Sequence, residues 1–144
     1  MPAWVVAGYH EYARRLPREF ALELIELKSE PRGRGKSTSE VLATEAVRIR
    51  AACAGSTVVA LDENGAAWTT LKLAKHLGRW RDEGARVAFV IGSADGLAPS
   101  IKRTAVHTLA LSAFTLPHGL VRVLLAEQLY RAMSLLAGHP YHRE

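Results

Sequence analysis

The 144-residue sequence contains a single cysteine, Cys53, so no disulfide can form within the chain. Cys53 lies at helical spacing from Leu42, Ala46 and Ile49, which favours a buried spectator over a nucleophile or a metal ligand. No apolar run approaches the roughly 20 residues that span a membrane, and Met1 opens no signal peptide. These absences predict a cytoplasmic protein without a membrane partner.

Several sequence signatures of ligand chemistry are also missing. There is no P-loop, no zinc-ligand cluster and no Gly-x-Ser-x-Gly elbow. The glycine-rich stretch at residues 92–96 does not follow the first strand and lacks the GxGxxG spacing of dinucleotide-binding proteins. We therefore expect no bound metal, and the glycine-rich stretch does not indicate dinucleotide binding.

The composition is that of an ordinary globular protein, with 49% apolar and 23% charged residues, and the length suits one domain over residues 1–144. The formal net charge of +5 suits a polyanionic partner such as RNA. Residues 28–36 carry four cations against one acid, Glu30; the cations are Lys28, Arg32, Arg34 and Lys36. Two interpretations remain open for this segment, a solvated linker and a mobile arm that grips phosphates.

Apolar periodicity predicts strands that alternate with helices. The predicted strands are residues 20–27, 57–61, 86–91 and 107–112, and the predicted helices are 3–16, 39–54, 69–84, a short one opened by Pro99, and 120–137. Residues 62–65 read as a turn. Because the inner strands are apolar on both faces, the pattern predicts an α/β fold with a parallel sheet and helices on both faces.

The last predicted helix, 120–137, is apolar around almost its whole circumference. Burial on two sides in a chain of this size indicates a subunit interface and hence a homodimer. Glu127 and Arg131 are one turn apart and can pair, for which a structural role is the default interpretation.

Ligands of open parallel sheets bind beyond the carboxyl ends of the strands. Three such ends are distinctive here, at Leu61, at residues 92–96 and at residues 112–119, and their glycines allow a ligand to approach the backbone. The residues alone thus predict a basic α/β domain with a small-molecule cleft.

Three stretches in this order, "VIGSADGLAP", "LSAFTLPHGLVRVLLAEQLYRA" and the terminal "HPYHRE", resemble the ribosomal RNA large subunit methyltransferase H family of the SPOUT class. The segments "MPAWVVAGYHEYARRLP" and "ELIEL" match as well, so the resemblance covers essentially the whole chain. It implies a parallel α/β sheet with a C-terminal trefoil knot, and a homodimer formed through the knotted region. It also implies transfer of a methyl group from S-adenosyl-L-methionine to N3 of a pseudouridine in 23S ribosomal RNA on the assembled ribosome.

The resemblance also implies roles for particular residues. The cofactor cleft would comprise Leu61, Gly92, Ser93, Ser112, Ala113, Phe114, Thr115, Leu116 and Pro117. The catalytic or substrate-facing residues would be Tyr141, His142, Arg143 and Arg131, with His118 lining the same space. His142 is the candidate base, because imidazole titrates near neutrality. Arg143 or Arg131 would stabilise negative charge or hold a phosphate, and Tyr141 would stack on the base.

The chain departs from the family pattern in two places. Ser93 stands where the family usually shows a second glycine. Family members also begin with a strand ahead of the segment that matches Met1, which indicates a start codon assigned too late or a shortened chain and predicts unpaired strand edges. Two other functions remain open, a non-catalytic ribosome- or RNA-binding module and a flavodoxin-like nucleotide-binding domain.

Overall fold

A computed structural model describes residues 1–33 and 35–143, apart from the side chains of His142 and Arg143. The helices are α1 (Ala3–Ala13), α2 (Thr38–Ala52), α3 (Thr70–Asp82), α4 (Pro99–Thr104) and α5 (His118–Ala137), and the strands are β1 (Thr57–Ala67), β2 (Val87–Ile91) and β3 (His107–Ala110). Two short 3-10 turns span Arg18–Phe20 and Pro140–Arg143.

Residues suited to helix ends begin or end four of these helices. Ser37 and Thr69 each accept a hydrogen bond from the backbone N–H three residues later, which satisfies an otherwise unpaired donor of the first turn. Pro99 opens α4 at its first position, where no N–H is needed. Gly138 ends α5 in a left-handed conformation with φ of 70°.

The three described strands form one parallel sheet in the order β2-β1-β3. Val59 and Leu61 of β1 join the cluster that packs against α3 and α5, whereas Ala60 joins the cluster that packs against α2 and α4. Side chains alternate between the faces of a strand, so each face of β1 receives its own layer of helices. The predicted parallel α/β fold with helices on both faces is confirmed.

The strand predicted at residues 20–27 is wrong. This segment is extended but has no strand assignment, and a cavity of about 670 Å³ separates it from β2. Strands must lie about 4.8 Å apart to form ladder hydrogen bonds. The gap prevents that pairing, and no described strand occupies the outer edge of β2.

The turn predicted at residues 62–65 is an interruption inside β1. Pairing with β3 proceeds from Val59 to Leu61 and resumes at Ala66. The loop between them is closed locally, because Asp62 accepts a hydrogen bond from the N–H of Asn64. A Cβ on Gly65 would lie 2.6 Å from the carbonyl oxygen of Thr108, so only glycine fits here. The turn residues therefore produce a bulge that leaves the strand continuous.

Helix α5 is covered on two sides by the same chain. Both α1 and α3 pack against it, and eight of its residues are buried. The close approach of α1 depends on glycine, because a Cβ on Gly119 would lie 2.8 Å from Cγ2 of the fully buried Val5. The apolar circumference of α5 therefore does not by itself require a second subunit.

Candidate functional site

The carboxyl ends of β2 and β3 and the start of the β1 bulge lie side by side in the sheet. Leu61 of β1 is in register with Ile91 of β2 and with Leu109 of β3. The segments that follow β2 and β3, residues 92–96 and 111–117, therefore leave the sheet on either side of Leu61. The structure thus brings together the three groups of residues predicted to form the cofactor cleft.

Gly92 begins a tight turn in which the backbone folds onto itself. A Cβ at this position would lie 2.4 Å from the carbonyl oxygen of Gly96. Gly96 has φ of 84° and donates its N–H to the carbonyl oxygen of Ser93 at 2.8 Å. Glycine is therefore required at position 92 by the close packing of the turn against its own backbone.

His118 connects the start of α5 to this turn. Its Nδ1–H donates a hydrogen bond of 2.7 Å to the carbonyl oxygen of Gly92. The interaction fixes the tautomer of the neutral ring, with Nε2 as the acceptor. His118 thus lies against the cofactor-side turn, and not beside Arg131, with which it was predicted to line one space.

The segment Ser112–Pro117 is held by two local hydrogen bonds. Ser112 accepts the N–H of Phe114 at 2.9 Å, and the Thr115 hydroxyl donates to Glu63 Oε2 at 2.7 Å. Phe114 is 81% exposed, although large aromatic side chains are usually buried. Through its hydrogen bond from Thr115, Glu63 connects the bulge of β1 to the segment after β3. Sequence reasoning missed this residue. Its position in an apparent turn gave no signal of this role.

The large cavity beside β2 meets the predicted cleft only at Gly92 and Ser93. It is lined by the extended segment after α1 and by residues of α2, β2 and α5, and it includes Gly92 and Ser93. Neither Leu61 nor the segment from Ser112 to Pro117 lines it. The cavity follows the free edge of β2, whereas the cleft residues lie around Leu61 of β1.

The basic segment is attached to the fold by its described side chains. Arg32 donates to Asp95 at 2.6 Å, while Lys36 and Arg48 both donate to the buried Glu30, at 2.5 and 2.7 Å. These hydrogen bonds from Lys36 and Arg48 hold the pKa of Glu30 below its usual range. The charges of Lys36 and Arg32 are therefore already paired with carboxylates of the same chain. Arg34 lies outside the described residues.

The C-terminal tail folds back onto α5. The hydroxyl of Tyr141 donates a hydrogen bond of 2.9 Å to Glu127 Oε2, which also accepts from the Arg131 guanidinium at 2.7 Å. The guanidinium carbon of Arg131 lies 4.9 Å from the centre of the Tyr141 ring. Burial, followed by the hydrogen bond to Glu127, raises the pKa of Tyr141 well above its usual value. This phenol is therefore a neutral donor at physiological pH.

Glu127 is the residue that organises two of the predicted catalytic side chains. Sequence spacing revealed its pairing with Arg131 but not its contact with Tyr141, because that contact depends on the reversal of the chain at Gly138. The predicted roles of His142 and Arg143 concern side chains outside the described part of the structure.

The tail and the cleft lie at different positions along α5. His118, at the first residue of the helix, contacts the Gly92 turn, whereas Tyr141 contacts Glu127. With a rise of about 1.5 Å per residue, Glu127 lies roughly 13 Å and Arg131 roughly 20 Å from His118 along the axis. Tyr141, held at Glu127, therefore lies about two and a half helical turns along α5 from the residue that contacts the Gly92 turn.

Neither a metal cluster nor a membrane span is found in the described residues. No group of three or more histidine, cysteine, aspartate or glutamate side chains there could hold a metal ion. None of the helices in the same part of the chain is long and apolar enough to cross a membrane.

A parallel α/β sheet with a glycine turn and a second loop at the strand ends, followed by a long C-terminal helix, is the arrangement of a nucleotide- or cofactor-binding α/β protein. A family model described as "Predicted SPOUT methyltransferase" matches residues 1–142. The chain therefore belongs to the SPOUT methyltransferase family, which implies a knotted fold.

Individual relatives narrow the comparison further. The chain is 55% identical to "Ribosomal RNA large subunit methyltransferase H" of Nitrosospira multiformis, over 99% of this chain and 92% of that protein. It is 54% identical to the protein of the same name from Burkholderia multivorans and 53% identical to that from Burkholderia ambifaria, with the same coverage of each chain.

Proposed function

We propose that this protein uses S-adenosyl-L-methionine to methylate N3 of a pseudouridine in 23S ribosomal RNA within the assembled ribosome. The observation that carries the proposal is the 55% identity, over 99% of the chain, to a protein named as a ribosomal RNA large subunit methyltransferase. The formal net charge of +5 supports an RNA partner.

The cleft has the features that a nucleoside-containing cofactor requires. Gly92 allows the turn to close tightly, because a Cβ there would collide with the backbone of Gly96. The N–H and carbonyl groups of this turn and of residues 112–117 are the groups we assign to the adenine and ribose. Leu61, buried just before the bulge of β1, would supply an apolar contact between them. Bound there, the cofactor would supply an electrophilic methyl group on sulfur, and such a donor needs no metal.

The protein must remove a proton and stabilise charge at the acceptor. Methylation of N3 forms the N–C bond, breaks the S–C bond and releases the imide proton of the base. We assign the acceptance of that proton to His142. We assign the stabilisation of the deprotonated ring to Arg131 or Arg143. Tyr141, a neutral donor held by Glu127, would orient or stack on the base.

A homodimer would complete the site. In one chain the tail lies more than ten ångströms along α5 from the cleft by the rise of about 1.5 Å per residue. Three exposed apolar side chains, Met1, Trp4 and Phe114, provide surface for a second copy. We propose that the tail of one protomer closes the cleft of its partner.

The family match over residues 1–142 supports a single methyltransferase domain for the whole chain. We assign the trefoil knot implied by the family to the C-terminal segment that includes residues 112–117 and α5. Since the proposed substrate is the ribosome, we place the protein in the cytoplasm.

Two experiments test this function. Mass spectrometry of 23S rRNA from cells that lack the protein should show one missing methyl group on a pseudouridine, and the purified protein should restore it on isolated ribosomes. Calorimetry should show stoichiometric binding of S-adenosyl-L-methionine or its demethylated product. Unchanged rRNA mass would refute the proposal. RNA binding without cofactor binding would favour a non-catalytic module, and tight flavin binding would favour a flavodoxin-like domain.

A further inference from the structure

Glu45 is a buried carboxylate to which none of the roles above has been assigned. It lies on α2, and its side chain accepts two hydrogen bonds from two different loops. Oε1 accepts from the Ser93 hydroxyl at 2.9 Å, and Oε2 accepts from the backbone N–H of Glu30 at 3.0 Å. Glu45 is 8% exposed. Both carboxylate oxygens are thus used, as burial of a charged group requires.

These two hydrogen bonds join the basic segment to the turn of the proposed cofactor cleft. Ser93 belongs to the Gly92–Gly96 turn, and Glu30 belongs to residues 28–36. A second connection runs parallel to the first, because Arg32 donates to Asp95 at 2.6 Å and its guanidinium lies 3.5 Å from the Ser93 hydroxyl. The turn is therefore anchored from outside the sheet at both Ser93 and Asp95.

The charge of Glu45 lies within a compensated network. Its neighbour Glu30 is 9% exposed and pairs with both Lys36 and Arg48. Arg48 is one turn along α2 from Glu45 and also donates to the carbonyl oxygen of Lys28. Glu45 can accept from the backbone of an acidic residue here because the side chain of Glu30 is itself paired with cations of the same segment and helix.

We propose that Glu45 is a positioning residue for the cofactor, acting through Ser93. The hydrogen bond fixes the Ser93 side chain toward α2, so the residue that replaces a usual family glycine keeps its hydroxyl out of the cleft. It also restrains the backbone groups of the Gly92–Ser93 turn that we assign to the cofactor. This inference rests on the proposed methyltransferase function, and Glu45 itself touches neither reactant.

Removal of either partner tests the anchor. In Ser93→Ala and Glu45→Gln, we expect the affinity for the demethylated cofactor to fall about three- to tenfold, because one charge-assisted hydrogen bond is lost. The KM for S-adenosyl-L-methionine should rise by a similar factor while kcat stays within about twofold. The loss in the double variant should be smaller than the product of the two single losses, because both changes act on the Ser93–Glu45 bond and only Glu45→Gln also alters the bond from the Glu30 N–H.

The matched control is Glu40→Gln, which removes an exposed charge from the same helix. It should leave cofactor affinity unchanged. Equal losses in Glu40→Gln and Glu45→Gln would overturn the inference, because they would report a general effect of charge. Unchanged affinity in Ser93→Ala would overturn it as well.

Amide hydrogen exchange separates a failure of this inference from a failure of the proposed function. Without any ligand, exchange at residues 92–96 should accelerate in Ser93→Ala and Glu45→Gln but not in Glu40→Gln. Faster exchange in a protein whose wild type binds no cofactor would support the anchor and refute the methyltransferase. Normal exchange in all three variants would refute the anchor, whatever the wild type binds.

Discussion

The hydroxyl of Tyr141 donates a hydrogen bond of 2.9 Å to Oε2 of Glu127, which lies nearly three turns before the end of α5. The same oxygen accepts from Arg131 at 2.7 Å. One carboxylate thus holds a side chain of the terminal segment and a cation of α5. Because burial and this hydrogen bond raise the pKa of Tyr141, the phenol remains protonated at physiological pH and acts as a donor, not as a base.

Glu127→Gln should weaken catalysis more than folding. The amide keeps the size of the side chain but loses the charge that holds Arg131 and Tyr141, so we expect the single-turnover rate on ribosomes to fall about tenfold or more. Tyr141→Phe should show a smaller loss, because Arg131 remains paired. The control Glu83→Gln removes an exposed ion pair with Arg79 and should retain the full rate. A wild-type rate in Glu127→Gln would exclude this carboxylate from positioning the tail.

His142→Ala should lower kcat if the imidazole accepts the N3 proton. General-base catalysis contributes about 10²- to 10⁴-fold, so the loss should fall in that range, with little change in cofactor affinity. The rate of the variant should depend more steeply on external buffer and on pH, because another base must take the proton. His10→Ala, at an exposed position of α1, is the control. Unchanged turnover of His142→Ala on ribosomes would remove this residue from the mechanism.

Gly92→Ala should abolish cofactor binding. The new Cβ would lie 2.4 Å from the carbonyl oxygen of Gly96, and backbone cannot yield as a flexible side chain can. Overpacking of this kind costs about 1–3 kcal/mol, so the melting temperature should also drop. Gly33→Ala is the matched control, since a Cβ there meets no atom within 4 Å and both binding and melting should remain as in the wild type. Normal cofactor binding by Gly92→Ala would contradict this prediction, because it would mean that the turn accommodates the added Cβ.

The sequence allowed the layers of the fold to be predicted but not the contacts made by charged side chains. Strands β1 to β3 and the caps at Ser37, Thr69 and Gly138 follow from local signals, because apolar runs and capping residues act over a few positions. The segment at residues 20–27 shows the limit of such signals. Its alternation is typical of a strand, yet a strand forms only where a neighbouring edge lies within hydrogen-bonding distance.

The candidate site was predictable to a similar degree. Leu61 does lie in register with Ile91 and Leu109, near the ends of β2 and β3, because parallel strands place their carboxyl ends on one edge. The sequence placed the end of β1 at Leu61, whereas the strand continues past a bulge to Ala67. The roles of Glu45, Glu63 and Glu127 were not predictable from spacing. Each of these acids bonds to a residue 14 to 52 positions away, and such pairs are decided by the tertiary fold.

The stability of the protein should fall with acid because of His107. Its ring lies 4.8 Å from Trp68 and 4.9 Å from His76, and burial, followed by the charge of His76 and the nearby Arg79 and Lys72, lowers its pKa. Between this lowered pKa and the unfolded value of about 6.5, the unfolded chain binds more protons. The neutral His107 therefore costs no stability above about pH 6.5. Below that pH its preference for the neutral form progressively lowers the free energy of unfolding.

His107→Gln should reduce this acid dependence. Thermal melts between about pH 7.5 and pH 5.5 should show a smaller decrease in melting temperature for His107→Gln than for the wild type. His10→Gln, at an exposed position, should follow the wild-type curve. Identical slopes for His107→Gln and the wild type would assign the acid sensitivity to other groups.

Mixed dimers should regain activity that neither parent possesses. A variant with a defective tail, carrying Tyr141→Phe and His142→Ala, keeps an intact cleft, whereas Gly92→Ala keeps an intact tail. The two variants are unfolded, mixed and refolded, so that about half of the dimers contain one of each. If each site joins the cleft of one protomer to the tail of its partner, every mixed dimer has one complete site out of two. The mixture then shows about a quarter of wild-type activity. A tail that served its own cleft would give no active site in any mixture. Because α5 separates the tail from the cleft within one chain, we expect about a quarter of wild-type activity in the mixture. The measurement is methyl transfer to ribosomes, compared with the unmixed parents at the same concentration.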